Sequence, residues 1–218
     1  KKYNGFLKLF VIFLTLFFVV SCSKQQYQVT KIEGKLIPIT AKENQSSDPK
    51  IESFIKPYRE HINKDLDSVL AYCPETLDKS SGKWQTTIGN LMADVTLKRG
   101  NLVFNAREKK NIDICLLNNG GIRSILPKGN VTSRTAFEIM PFENNLVVIA
   151  LKGEQIFELV QYFIAEKKPH PLSGITFTIG KNNVAKNILV QGKAIKNDKI
   201  YYVGTNDYLA NGGDNMDF

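Results

Sequence analysis

Apolar residues recur at helical spacing through Ile51, Phe54, Ile55, Tyr58, Ile62, Leu66, Val69 and Leu70 with charges between them, which predicts an amphipathic helix over 51–70. Asp48 is placed to cap this helix and Pro49 to open it. Pro57 is expected to kink it or to move its start downstream. A second helix is predicted over 86–100, with Thr86 or Thr87 as cap and Gly100 as stop. The run 154–168 sets Ile156, Leu159, Val160 and Phe163 on one side of a third, and 132–140 reads as a short capped helix ended by Pro141. Strand signals interleave with these. "IDICLL" (112–117) is an apolar run interrupted only by Asp113, "NNLVVIALKG" (144–153) holds another from Leu146 to Leu151, and "GITFTIG", "NILVQGKAI" and "IYYVGT" follow toward the C-terminus. Residues 23–40 alternate in part at Val29, Ile32, Leu36 and Ile39, as a tether leading into a strand would, and polar residues 41–50 read as a loop. No repeat with a period of about 20–50 residues interrupts the pattern. The predicted fold class is therefore α/β (mixed α+β), one domain with a mixed sheet and packed helices.

The first residues follow a different logic. "KKYNGFLKLFVIFLTLFFVVSC" opens with lysines, continues through an apolar run from Leu9 to Val20, and reaches a small residue just before Cys22. That is the layout of a secretory signal, with an apolar run short for a membrane span. "VVSC" resembles the lipobox of bacterial lipoproteins, in which the cysteine thiol is acylated. The expected organisation is a signal peptide over 1–21, a lipidated tether over 22–27 and a folded domain over 28–218. An ordinary signal peptide or a short anchor helix is the alternative. The expected location is the bacterial cell envelope, with the chain lipid-anchored to a membrane.

Charge narrows the partners. The chain carries +8, and removing 1–21 takes away three lysines and no acid, so the remainder carries 8 − 3 = +5. This mild excess fits a small anionic ligand or a soluble surface. No arginine-rich stripe with interleaved aromatics points to nucleic acid. Beyond Cys22 the cysteines are Cys73 and Cys115, whose pairing sequence does not define, and the histidines are His61 and His170.

Three turn segments hold the candidate chemistry. "NNGGIR" (118–123) supplies amide side chains, two glycines, Gly120 and Gly121, that let backbone approach a ligand, and Arg123, whose guanidinium suits bidentate phosphate contact. "MPFENN" (140–145) puts Phe142 in a loop after a proline. "NDYLANGGD" (206–214) sets Tyr208 and Asp214 around Gly212 and Gly213. Taken alone, each segment reads more simply as an ordinary turn, with Phe142 as a core plug. If Phe142 and Tyr208 face each other they sandwich a flat base, a contact of about 1–3 kcal/mol per stacked base.

In order and spacing, "TIGNLMAD" (87–94), "NNGGIR", "MPFEN", "LKGEQIFELV" (151–160) and "NDYLANGGD" resemble the C-terminal domain of the 5′-nucleotidase family, which includes periplasmic UDP-sugar hydrolases and animal ecto-5′-nucleotidases. The resemblance spans roughly residues 28–218. It implies a domain that binds the nucleoside part of the substrate. Phe142 and Tyr208 match its base clamp, Asn144 its base pocket, Asp214 the carboxylate that holds the ribose hydroxyls, and Asn118 and Arg123 polar contacts to the nucleotide.

Two departures bear on activity. The family usually carries an arginine shortly before "GNL", whereas "SGKWQTTIGNL" offers Lys83, a point charge without the fork geometry. The family's hydrolysis also rests on an N-terminal metallophosphoesterase domain, in which two metals held by His, Asp and Asn activate water. With two histidines in unrelated contexts, this sequence is expected to hold no metal, to need no cofactor of its own and to be inactive alone. Two functional classes follow. One is the specificity half of a split 5′-nucleotidase, completed by a separate metallophosphoesterase chain that carries the divalent metals. The other is a binding-only lipoprotein that captures nucleosides or nucleotides.

Overall fold

The computed structural model describes residues 3–19, 28–36 and 47–216. Cys22 and Ile39 lie outside these. Two compact units group by their contacts, Lys1–Asp48 and Pro49–Phe218. The first contains α1 (Tyr3–Val19), an apolar helix. Among the described residues no helix is long and apolar enough to cross a membrane. Residues 28–36 have no regular structure, and Val29, Ile32 and Leu36 are exposed. The strand expected from their alternation is absent from this stretch, where no neighbouring strand pairs with it.

The second unit begins with α2 (Pro49–Leu66), which Pro49 opens as expected. Pro57 sits inside it without moving the start. The missing N–H costs one backbone bond, and on a helix with no buried residue water can satisfy the carbonyl left over. Val69 and Leu70 do not extend the helical stripe. They enter β1 (Val69–Cys73), whose partner is β3 (Gly129–Thr132) in an antiparallel ribbon. Local periodicity predicted helix there, and a strand pairing across some sixty residues overrides it.

Between them lies α3 (Thr87–Glu108), capped by the Thr86 hydroxyl, which accepts from the Gly89 N–H at 3.1 Å. Gly100 does not end this helix. It is buried mid-helix, where a Cβ would stand 2.6 Å from Leu146 Cδ2 and 3.2 Å from Ile112 Cδ1, so its role is close packing. The helix stops instead at Lys109 in the left-handed conformation (φ 55°). Then follow β2 (Ile114–Leu116), the short α4 (Ser133–Ile139) capped by Thr132, β4 (Leu146–Lys152) and α5 (Gly153–Glu166). The chain closes through β5 (Leu172–Ser173), β6 (Ile175–Ile179), β7 (Ala185–Val190), β8 (Lys193–Ala194), β9 (Ile200–Asn206) and α6 (Asp207–Ala210).

The central sheet has the order β4-β9-β2-β5, with β2 and β9 parallel and the other pairs antiparallel. β6, β7 and β8 form a separate antiparallel sheet. β2 is fully buried, which is why it reads as an unbroken apolar run rather than an alternation. The main core joins Ile114, Leu116 and Val203 of the sheet to Ile156, Val160 and Phe163 of α5. Each such side chain, fully buried, contributes about 1.5–3 kcal/mol. A smaller core gathers Cys73, Ile88, Ile122, Leu126 and Ile139. Cys73 and Cys115 are both buried and both free thiols. The fold is mixed α/β, as expected.

Candidate functional site

The parallel pairing of β2 with β9 decides where the chemistry gathers. Ile114 pairs with Val203 and Cys115 with Gly204, so both strands end at the same edge of the sheet. Antiparallel β4 begins there, with Leu146 opposite Asn206. Three loops therefore converge: 118–123 after β2, 141–145 before β4, and 206–214 after β9. Ligand sites of open α/β sheets lie at this kind of carboxyl edge.

Specific contacts tie the loops together. Asn206 Nδ2 donates to Asn118 Oδ1 at 2.9 Å, and both residues are buried. Asn145 Nδ2 donates to Asp207 Oδ2 at 3.0 Å, while the Asp207 N–H donates to the Asn145 carbonyl at 3.0 Å. The Asn145 side-chain amide first, and backbone N–H groups of Asn145, Tyr208 and Asp207 after it, hold the Asp207 carboxyl below the usual carboxylate range against a smaller effect of burial. The Arg123 N–H donates to the Ile139 carbonyl at 2.7 Å, and its guanidinium lies over the Phe142 ring, 5.2 Å from the centroid. A guanidinium over a ring face spends no N–H donor on it.

Phe142 is 45% exposed and Tyr208 47% exposed, so neither is a core plug. No ring-to-ring contact joins them. Asn144 is exposed in the loop that holds Phe142. The Tyr208 hydroxyl donates to Asp214 Oδ1 at 3.1 Å and accepts from the Asp214 N–H at 3.2 Å. Gly212 is left-handed (φ 89°), and at Gly213 a Cβ would meet Tyr208 Cε1 and the Tyr208 carbonyl oxygen at 2.5 Å, so the turn closes tightly on the tyrosine. At Gly121 a Cβ would stand 2.8 Å from Asn118 Oδ1, whereas at Gly120 the nearest atom, Asn118 Nδ2, is 3.6 Å away. Gly121 thus serves the packing of Asn118, and Gly120 leaves open backbone.

Four contributors were not singled out in the sequence. Asn206 caps α6 by accepting from the Leu209 N–H and also reaches Asn118; its place before "DYLA" was a readable cap signal. Lys79 Nζ donates to the carbonyls of Ile122 at 2.5 Å and Asn119 at 3.3 Å, and so seats a cation beneath the "NNGGIR" turn. Lys83, the expected substitute for the missing arginine, instead lies over Trp84 at 5.4 Å. Buried His170 and half-buried Tyr162 contact the two glycine turns, which no local signal announces. His61, by contrast, is exposed on α2 beside Asp65. Among the described residues no group of three or more His, Cys, Asp or Glu side chains is placed to hold a metal ion.

Residues 69–218 match the family model described as "5′-nucleotidase, C-terminal domain". The chain is 26% identical over 204 residues to a trifunctional nucleotide phosphoesterase protein of Bacillus subtilis, covering 86% of this chain and 13% of that protein. It is 24% identical over 196 residues to a 5′-nucleotidase of Vibrio vulnificus, covering 84% and 32%. It thus spans about a third or less of these relatives' lengths. Among solved structures, a 5′-nucleotidase precursor from Thermus thermophilus superposes with a TM-score of 0.61 at 25% identity, covering 76% of this chain and 34% of that one. A match to NAD nucleotidase of Haemophilus influenzae, with a TM-score of 0.53 at 20% identity and coverage of 78% and 33%, supports the fold. With the family model covering residues 69–218, this chain belongs to the family of 5′-nucleotidase C-terminal domains.

Proposed function

We propose that this chain is the nucleotide-recognition part of a 5′-nucleotidase-type phosphohydrolase and works with a separate metallophosphoesterase chain that supplies the divalent metals. The observation that carries this reading is the convergence of three loops at the carboxyl ends of β2 and β9. That convergence brings two half-exposed aromatics, a carboxylate and a guanidinium to one edge. In this reading Phe142 and Tyr208 stack the base, Asp214 accepts from ribose hydroxyls, Asn118 and Asn144 supply amide contacts and Arg123 takes a phosphate. Water attack on phosphorus belongs to the partner.

Calorimetry with adenosine, 2′-deoxyadenosine and AMP tests the assignment. Phe142→Ala or Tyr208→Ala is expected to cost about 1–3 kcal/mol of binding. Asp214→Ala is expected to weaken the ribonucleoside more than the deoxynucleoside, and Arg123→Ala to weaken AMP alone. Absence of binding at millimolar concentration, or indifference to both aromatic substitutions, overturns the reading. A binding-only capture protein predicts the same affinities but no stimulation when a metallophosphoesterase is added.

The proposed location is the bacterial envelope, with Cys22 acylated. One relative is named as a cell wall protein of Listeria monocytogenes. Fatty-acid labelling that is equal in the wild type and Cys22→Ala overturns the anchor.

A further inference from the structure

We propose that Tyr162 and His170 form an internal brace that sets the two glycine turns of the site against each other, and that both are positioning residues for nucleotide recognition. The role in recognition rests on the reading above; the brace itself rests on three contacts.

The first runs to the C-terminal turn. Tyr162 projects from α5 and its hydroxyl donates to the Asp214 carbonyl at 2.6 Å. Asp214 and Asn215 are both left-handed (φ 52° and 58°), a conformation costly for residues with a Cβ and kept only where surroundings hold it. Tyr162 holds the carbonyl at that point, while Tyr208 holds the Asp214 carboxylate and N–H. The second contact runs to the "NNGGIR" turn. Asn119 opens the short 3-10 turn Asn119–Gly121, and the Asn118 side chain makes no capping bond to it. The free Asn119 N–H donates instead to His170 Nδ1 at 3.4 Å. His170 is only 4% exposed, and an accepting Nδ1 puts the ring proton on Nε2, the neutral tautomer. The third contact joins the two. The Tyr162 and His170 rings are neighbours, with centroids 6.2 Å apart, and Phe163 backs the imidazole at 5.6 Å.

Asn119 and Asp214 are thus connected through two adjacent rings on the inner side of the turns, in addition to the Asn118–Asn206 bond. A shift of either turn would be transmitted to the other. The arrangement fixes where Asp214 stands relative to Asn118 and Arg123, and so the spacing between a ribose contact and a phosphate contact.

The test uses Tyr162→Phe, which removes one hydroxyl, His170→Leu, which removes the acceptor, and His170→Asn, which restores a short acceptor near the Nδ1 position. Hydrogen exchange of the ligand-free protein reads the brace directly. Losing a bond of this kind is expected to speed exchange about five- to tenfold, over 213–216 in Tyr162→Phe and over 119–122 in His170→Leu, with His170→Asn returning toward wild type. Calorimetry with AMP and 2′-deoxy-AMP is expected to give an affinity loss of about the same factor, with a changed ribose-to-deoxyribose ratio in Tyr162→Phe. Unchanged exchange in both turns overturns the brace even if the wild type binds nucleotide. Faster exchange in a protein that binds no nucleotide upholds the brace and overturns its role in recognition. Faster exchange with unaltered nucleotide affinity leaves the two residues structural and overturns the positioning role.

Discussion

The Tyr208 hydroxyl and Asp214 make a closed pair, in which the hydroxyl donates to the carboxylate at 3.1 Å and accepts the same residue's N–H at 3.2 Å. The candidate base-stacking residue and the candidate ribose carboxylate are therefore one unit. The Tyr208 hydroxyl thus adds a second side-chain hold on the turn, beside that of Tyr162 on the Asp214 carbonyl.

Tyr208→Phe keeps the ring and deletes both bonds. Stability is expected to fall by about 0.5–1.5 kcal/mol, read by denaturant unfolding, and nucleoside affinity to fall less than in Tyr208→Ala, which removes the ring as well. A larger loss of affinity than Tyr208→Ala produces would contradict the division of labour between ring and hydroxyl.

Gly213→Ala places a methyl 2.5 Å from both Tyr208 Cε1 and the Tyr208 carbonyl oxygen. The carbonyl cannot swing away as a side chain can. Destabilisation of about 1–3 kcal/mol is expected from the overpacking, together with weaker nucleoside binding. Gly120→Ala, where the nearest atom is 3.6 Å away, is expected to leave stability nearly unchanged. A thermal shift that ranks the two in the opposite order would refute the assignment.

Acid should weaken the fold through His170. Burial lowers its pKa from the ordinary 6.5, outweighing the nearby Asp214 carboxylate, which raises it; Lys168 lowers it further, and the Leu117 backbone and Glu166 raise it by less. Because the folded pKa is depressed, the unfolded chain takes up the proton first. The His170 contribution is therefore complete above pH 6.5 and is lost as pH falls from there through the lower folded value. Thermal melts between pH 7.5 and 5 should fall more steeply for the wild type than for His170→Asn.

Cys115 should be chemically silent in the folded protein. Burial chiefly, and Asp94 secondarily, push its thiol up to about 12. Thiolate is the reacting species, so a disulfide-exchange reagent at pH 8 is expected to label Cys115 only in denaturant, as peptide mass spectrometry would read. Labelling of the native protein at the rate of a free thiol would contradict this burial.

Much of the secondary structure was legible because it is written locally. The stripe Ile156, Leu159, Val160, Phe163 produced α5, Thr86 and Thr132 capped α3 and α4, and the apolar run at 112–117, interrupted only by Asp113, announced a buried strand. The same local logic failed where a distant partner had the larger say. Val69 and Leu70 fit a helix until β3 offered backbone bonds, and Gly100 looked like a helix stop until Leu146 and Ile112 packed against it. The residue types of the candidate site were likewise written in its three turns. What sequence could not give is their meeting. Asn118 and Asn206 are separated by 88 positions and lie 2.9 Å apart, because parallel pairing of β2 with β9 sets two strand ends side by side. Lys79, Tyr162 and His170 approach the turns from elements whose own patterns concern only their helix or loop. Periodicity and capping depend on neighbours within one turn of chain, so the sequence by itself determined the elements and the chemistry of the turns. Strand order and the burial it imposes depend on the whole chain closing on itself, so only the tertiary structure decided which of those turns share an edge and what holds them there.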